Sequence, residues 1–445
     1  GKPIKLEVKR DGFHVSKSSK EEIDNFYNEK LKSVKPLKLK VDPKAKLTDY
    51  ETMCPSSPAL CVNSLEKFGG KAAKLGFLAH KKVLGIGSTE QKRLGYRLTP
   101  TGFAVPLQNY VDFVNDPKNA DLKKDLTQFI TQEQSGNAPS GAARAKAIKN
   151  LQEKFYKAHL PEKQLNEINA AIVNLKKHLA IEFPGVTLKK LKIRSSANAE
   201  DIPEFDGAGL HSSFGAKLKL PATSTDLCTT EVDSDGEGDV ETKMKMEPEN
   251  LTCAIKGVYA SLWNQRAVEE RSNRKIDHWT VAMGLAVVPS YSFLKDQNLD
   301  ETANSVVITR VINTSGTYGY TLSTQVGENL ATNPIPGTQA ELCIATFLTP
   351  QEPIGRSYLR MSRPTPNEPV RTSPILNKEE LENVVKLTQK VELEYCLAKR
   401  DYADGGDCHY NLSNPEKPRA LDLEYKFLGD KHQILCKQVR EFSGK

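Results

Sequence analysis

The sequence has no run of about 18 apolar residues, so it offers no helix able to span a membrane. It has no C-x-x-C pair, which excludes a zinc ribbon or a thioredoxin-like motif among its eight cysteines. Aromatic residues are scarce, at 7%. The Lys-rich stretch from Lys30 to Lys46 has few of them to stack on bases, and no basic patch is interleaved with aromatics. Nucleic acid is therefore not an expected partner, and the stretch reads as a solvated linker. No internal repeat recurs at solenoid spacing. The first ten residues lack the apolar core of a signal peptide. The chain begins with Gly1 rather than Met, so it reads as a processed or trimmed product, with removal of a signal or of further domains left open.

What is present describes a globular chain. Its 445 residues are 38% hydrophobic and 27% charged, with a net charge of +7 spread along the length. That length predicts two or three domains, or one large two-lobed unit. The cysteines have two readings. Cys54 and Cys61 bracket a Pro-Ser loop, Cys228 and Cys253 an acidic insertion, and Cys396 and Cys408 a Gly-rich stretch. These placements suit staples formed in an oxidising compartment, which would make the protein periplasmic or secreted. Reduced, buried thiols in a cytoplasmic protein are the other reading, and the composition does not choose between them.

Along the chain, residues 1–55 read as an extension or appended module, with a β-like run at Ile4 to Val8 and a helix from Ser19 to Leu31. Gly69, Gly70 and Lys71 open a helix whose apolar face carries Ala73, Leu75 and Leu78. A strand follows from Leu98 to Val105. Residues 106–185 are mainly helical, broken near Ser135 to Ser140, and Leu188 to Arg194 is a strand. Residues 218–248 form an acidic insertion with Asp233, Asp235, Glu237 and Asp239. A calcium loop is excluded there, because Met244 stands where the bidentate acid is needed. Leu251 to Arg271 reads as one helix, Trp279 to Val288 and Ser305 to Val311 as strands, and Lys378 to Lys399 as a helix. The chain closes on a hairpin, Ala420 to Phe427 with Gln433 to Arg440, turned at Gly429-Asp430.

Two segments carry candidate chemistry. In the run from Ile193 to Phe214, a strand ends on Arg194, followed by Ser195, Ser196 and Asn198. A loop then carries Gly207, Gly209, Ser212 and Ser213. Such a loop lets exposed N–H groups cradle an anion, and an Arg fork can hold a phosphate; an ordinary structural turn is the competing reading. In the closing hairpin, Asp422 and Glu424 alternate onto one face of a strand, with Gln438 and Arg440 on its partner. Hard oxygen ligands suit Mg²⁺, and the Arg suits charge developing on a transferred phosphoryl group. Cross-strand ion pairs on a solvent-facing hairpin are the alternative.

The run Ile193-Arg-Ser-Ser-Ala-Asn-Ala-Glu-Asp-Ile-Pro203 resembles the V-R-S-S-A-x-x-E-D-x-P signature of the nucleotide-binding domain of pyruvate phosphate dikinase and phosphoenolpyruvate synthase. Other segments resemble the same family in order: Phe68-Gly-Gly-Lys-Ala-Ala-Lys-Leu-Gly76, Leu98-Thr-Pro-Thr-Gly-Phe-Ala-Val105, the helix Ala254 to Ala267, Ser305-Val-Val-Ile-Thr-Arg310, Gln325-Val-Gly-Glu-Asn-Leu330 and the closing hairpin. The resemblance implies an α+β, two-lobed ATP-grasp-like fold after the N-terminal extension. Its lobes would span residues 56–248 and 249–445. It implies ATP and Mg²⁺ as cofactors. Lys71 and Arg194 would contact phosphates, with Gly207, Gly209, Ser212 and Ser213 covering them and Glu328 nearby. Glu424 and Gln438 would hold the metal with Asp422 in support, and Arg440 would stabilise transferred charge.

Some family features are altered or missing. Pro289 removes a backbone donor at the hinge where adenine would sit, the Asp-Pro turn after Arg310 is missing, and the first Gly before Glu328 is replaced. The T-x-G-G-x-x-S/T-H phosphoacceptor motif and the PEP/pyruvate barrel are absent, and His211, inside the phosphate loop, is no substitute for the missing His. The expected function is thus the ATP half of a phosphotransfer. Its acceptor would be a separate domain, another protein, water or a small molecule. The alternative is a non-catalytic nucleotide-binding or structural module.

Overall fold

A computed structural model describes residues 4–9, 12–23, 25, 29, 36–135, 137–200, 202, 209–231, 245–291, 301–312, 318–327, 331–332, 335–347, 354–399, 408, 420–429 and 432–442. Gly207, Glu328, Asp430, the acidic run 232–244, residues 313–317 and part of the Ser19 to Leu31 segment lie outside the described residues.

The fold is α+β, built on two antiparallel sheets. The strands are β1 (Ile4–Lys9), β2 (Gly12–Lys17), β3 (Thr48–Asp49), β4 (Phe103–Val105), β5 (Lys190–Ala197), β6 (Phe214–Lys217), β7 (Thr229–Glu231), β8 (Lys245–Glu247), β9 (Met283–Pro289), β10 (Glu301–Ile312), β11 (Tyr318–Val326), β12 (Glu341–Thr346), β13 (Gly355–Arg360), β14 (Leu421–Leu428) and β15 (Gln433–Glu441). One sheet has the order β3-β4-β9-β5-β6 and the other β13-β12-β11-β10-β14-β15. Two small ribbons, β1-β2 and β7-β8, form separate two-stranded sheets, and Met246 of β8 packs into the first core. The first sheet takes β9 from beyond residue 249, so each sheet does not map onto one continuous half of the chain.

Each sheet has its own core. Helices between Leu107 and Glu182, with Leu251–Ser261 and Gln265–Asn273, bury Phe113, Phe155, Ile168, Tyr259 and Trp263 with Ile193 and Leu285 of the first sheet. The helix Lys378–Lys399 buries Leu387, Val391 and Tyr395 with Val307, Leu423 and Tyr425 of the second. Its start is a reciprocal cap: the Glu380 N–H donates to Asn377 Oδ1 and the Asn377 N–H to Glu380 Oε2. The hairpin β14-β15 bridges the two cores. Leu428 and Leu435 near its tip belong to the first, while Leu421, Leu423 and Val439 belong to the second.

Several expected elements are shorter or divided. The strand expected from Leu98 is confined to β4; Gly102, immediately before it, has φ +158°, and a Cβ added there would lie 2.1 Å from the Val287 carbonyl oxygen. The strand expected from Trp279 begins at Met283, because Asp277 caps a 3₁₀ turn over His278–Thr280. The helix expected from Leu251 to Arg271 is two helices. At the break Trp263 turns into the core to donate to the Tyr110 hydroxyl, and the Asn264 side chain donates to the Leu210 carbonyl. All three bracketing cysteine pairs are disulfides, Cys54–Cys61, Cys228–Cys253 and Cys396–Cys408, with Cys343 and Cys436 as buried free thiols. No described helix is long and apolar enough to cross a membrane.

Candidate functional site

The first side of the site is set by glycine. Helix Leu65–Leu78 is kinked at Gly69, with φ 72° and ψ 179°, a region open essentially to glycine alone. A Cβ there would lie 1.9 Å from the Ser196 carbonyl oxygen. This close approach lets the Ser196 hydroxyl donate to the Phe68 carbonyl at 2.7 Å and accept from the Ala72 N–H at 2.9 Å. The helix after the kink is thus capped by strand β5 rather than by its own preceding residue. Lys71, two residues past the kink, reaches Glu200 Oε1 at 2.5 Å and Ser195 Oγ at 3.4 Å. Glu200 is held in turn by the Ala197 N–H.

The second side is the hairpin. Asp422 faces Arg440 and Glu424 faces Gln438 across the strands. Arg440 donates from Nε and Nη2 to Asp422 Oδ2, at 2.8 and 2.5 Å. The register then slips, because Tyr425 pairs with Cys436 and leaves Lys437 as an extra residue on β15. A bulge of this kind re-aims side chains that strict alternation would separate. Here it lets the adjacent Lys437 and Gln438 both serve the Glu424 region. Lys437 Nζ lies 3.2 Å from Glu424 Oε2.

Arg194, inside β5 opposite Ala286, joins the two sides. Its Nη1 donates to the Lys437 carbonyl at 3.1 Å and its Nη2 to Gln438 Oε1 at 2.6 Å. The same Nη2 stands 4.0 Å from Glu424 Oε2. Burial pushes the Glu424 carboxyl up, but Lys437, Arg194 and Arg440 outweigh that and hold it down at about 2. Burial pushes Lys426, two residues on, down to about 6, and Lys437, Arg194 and Lys192 push the same way. The site is therefore an ionised acid inside a field of cations, suited to a polyanion.

The sequence candidates fall into three groups. Arg194, Glu424 and Gln438 come together, with Asp422 and Arg440 paired beside them. Lys71 is held on the Ser195–Glu200 side. Ser212 Oγ accepts from the Asn264 amide and serves the helix corner, while Gly209 is exposed with φ +70°. The partly buried His211 donates from Nδ1 to the Ser261 carbonyl, and burial, with Arg271 and Lys71, pushes it down to about 3. It is neutral near pH 7. Glu200, Lys426 and Lys437 were missed by the sequence reading. A lone Lys beside a Gln carries no signal until the bulge is known.

Residues 65–398 match the pyruvate phosphate dikinase, AMP/ATP-binding domain family. The chain belongs to that family. It is 27% identical over 232 residues to a phosphoenolpyruvate synthase of Pseudomonas aeruginosa, a stretch covering 51% of this chain and 22% of that protein. It is also 27% identical over 221 residues to a phosphoenolpyruvate synthase of Aeropyrum pernix, covering 49% of this chain and 20% of that protein. The matched stretch thus covers about a fifth of these relatives. As a member of the dikinase family the chain carries an ATP-binding domain of a phosphotransferase type, and the α+β, ATP-grasp-like architecture expected from the resemblance is what the sheets form. The family match ends before β14, so the hairpin's part in the site rests on its contacts with Arg194.

Proposed function

We propose that the chain binds Mg·ATP where the end of β5 meets the β14-β15 hairpin, and passes a phosphoryl group to an acceptor outside the chain. The observation that carries this reading is the Arg194 guanidinium, bonded to the Lys437 carbonyl and Gln438 and set 4.0 Å from Glu424. Arg194 and Lys71 hold phosphate oxygens. Arg440 meets charge developing on the transferred group, and Asp422 keeps it oriented. Taken singly, an ionised carboxylate, held down at about 2, and an amide oxygen are donors of the kind a hard divalent ion takes, although Lys437 Nζ already stands 3.2 Å from that carboxylate. Glu424 and Gln438 would hold Mg²⁺, with Asp422 behind them, and the ion would neutralise phosphate charge. Gly207, Gly209, Ser213 and Glu328 are proposed as further contacts to the nucleotide, and residues 1–55 as an extension whose last part joins the main body, since Thr48–Asp49 pair with β4 and Tyr50 is buried. The rest of the reaction belongs to a partner carrying the acceptor.

Three disulfides favour a second reading, a nucleotide-binding module without catalysis in an oxidising compartment where ATP is scarce. Calorimetric titration of the chain with Mg·ATP, repeated on Arg194→Ala and Glu424→Ala, tests both. The catalytic reading expects binding, loss of about 2–4 kcal/mol in Arg194→Ala, loss of turnover in Glu424→Ala, and phosphoryl release or transfer by the parent. Binding without turnover in the presence of candidate acceptors favours the second reading. An intact chain that binds no nucleotide sinks both.

A further inference from the structure

The acids proposed for the metal are already matched by fixed positive charge. Lys437 Nζ is 3.2 Å from Glu424, Arg194 is 4.0 Å from it, and Arg440 occupies Asp422. Three cations face two acids. A divalent ion entering this set meets repulsion, whereas a triphosphate meets attraction.

The root of Lys437 is also fixed. It is the extra residue of the bulge, and its carbonyl is held by Arg194. Its flexible stem carries a compact ammonium with three donors. Its side chain keeps 21% of its surface exposed and that of Glu424 24%, so both can be reached by a ligand.

From this geometry we infer that Lys437 is a resident cation of the nucleotide site, taking the place beside Glu424 that a divalent ion would otherwise fill. The ammonium swings from Glu424 Oε2 to a phosphate oxygen when nucleotide enters. The chain therefore binds ATP without added divalent metal, and a metal ion must displace Lys437 to reach Glu424. The inference deepens the proposed ATP-binding reading and rests on it.

The test is ATP titration of the full chain in excess EDTA and in excess Mg²⁺, with Lys437→Met and Lys437→Arg alongside the unaltered chain. Mn²⁺ titration without nucleotide, followed by electron paramagnetic resonance, is the second readout. The expected result is that the unaltered chain keeps its ATP affinity in EDTA within about tenfold of that in Mg²⁺. Lys437→Met loses about tenfold or more in EDTA only, and Lys437→Arg restores it. Lys437→Met also gains about tenfold in Mn²⁺ affinity, because Glu424 is released. If Lys437→Met does not fold, Glu424→Gln replaces it and is expected to bind ATP more tightly in EDTA.

ATP binding by the unaltered chain that vanishes in EDTA overturns the inference and leaves the nucleotide reading standing. So does a Lys437→Met chain with unchanged EDTA affinity, or a Glu424→Gln chain that gains none. No ATP binding in either condition overturns the nucleotide reading itself, and the inference with it.

Discussion

Gly69→Ala places one methyl group where the protein has no room for it. The backbone there has φ 72° and ψ 179°, and for an L-residue with a side chain this conformation costs about 1–3 kcal/mol. The new Cβ would also lie 1.9 Å from the Ser196 carbonyl oxygen and 2.9 Å from that of Ala197. Both obstacles are backbone, so no rotamer change relieves them, and the helix must retreat from β5 by about 1 Å or more to restore ordinary contact. That movement breaks the two Ser196 bonds to Phe68 and Ala72, each contributing about 1 kcal/mol net. The sum is about 3–5 kcal/mol, which corresponds to a fall of about 3–5 °C in the melting temperature if the whole chain melts as one cooperative unit. Lys71 lies two residues beyond the kink and moves with it, so nucleotide affinity falls as well. Differential scanning calorimetry with and without ATP measures both. A Gly69→Ala chain that melts within about 1 °C of the parent and binds ATP equally well would refute the reasoning.

Other consequences are accessible to simple measurements. Thiol titration of the unfolded, unreduced chain is expected to find two reactive groups, Cys343 and Cys436; eight would mean that none of the three bridges forms. Reduction of Cys228–Cys253, which closes a 25-residue separation, is expected to cost about 3 kcal/mol, read as a lower denaturation midpoint in the presence of reductant. His211 is held down at about 3 in the folded chain, against about 6.5 when unfolded. Between those values the unfolded chain binds a proton that the folded one refuses, so stability contributed by neutral His211 is present above about pH 6.5 and is lost as pH falls toward 3. Denaturant midpoints measured across that range are expected to drop less steeply in His211→Gln than in the parent, and identical slopes would remove His211 from the account.

How much of this was legible without coordinates depended on how local each signal was. Helix Lys378–Lys399 was predicted to the residue, because its cap, its apolar stripe and its end all lie within 25 positions. The closing hairpin was found through alternation and a Gly-containing turn. The helix expected from Leu251 was drawn through the break at Asn264, because what ends it is a carbonyl at Leu210, more than fifty positions away. The strand expected from Trp279 was drawn too long for the opposite reason. Its apolar pattern ran on through a short 3₁₀ turn that is set by one Asp cap.

The site divides in the same way. Residue identity alone left Arg194, Asp422, Glu424, Gln438 and Arg440 competing with an ordinary turn and a solvent-facing hairpin, and the family resemblance tipped the choice toward a site. The resemblance to the dikinase family supplied Lys71 and the ordering of the segments. Tertiary structure decided which of these residues meet. It joined Arg194 to the hairpin across 244 positions of sequence, and it held Lys71 against Glu200 instead. It also brought Lys437 to Glu424, because a one-residue slip in register turns a side chain that alternation would have sent elsewhere. Register is a property of two strands together, so no reading of either strand alone could contain it.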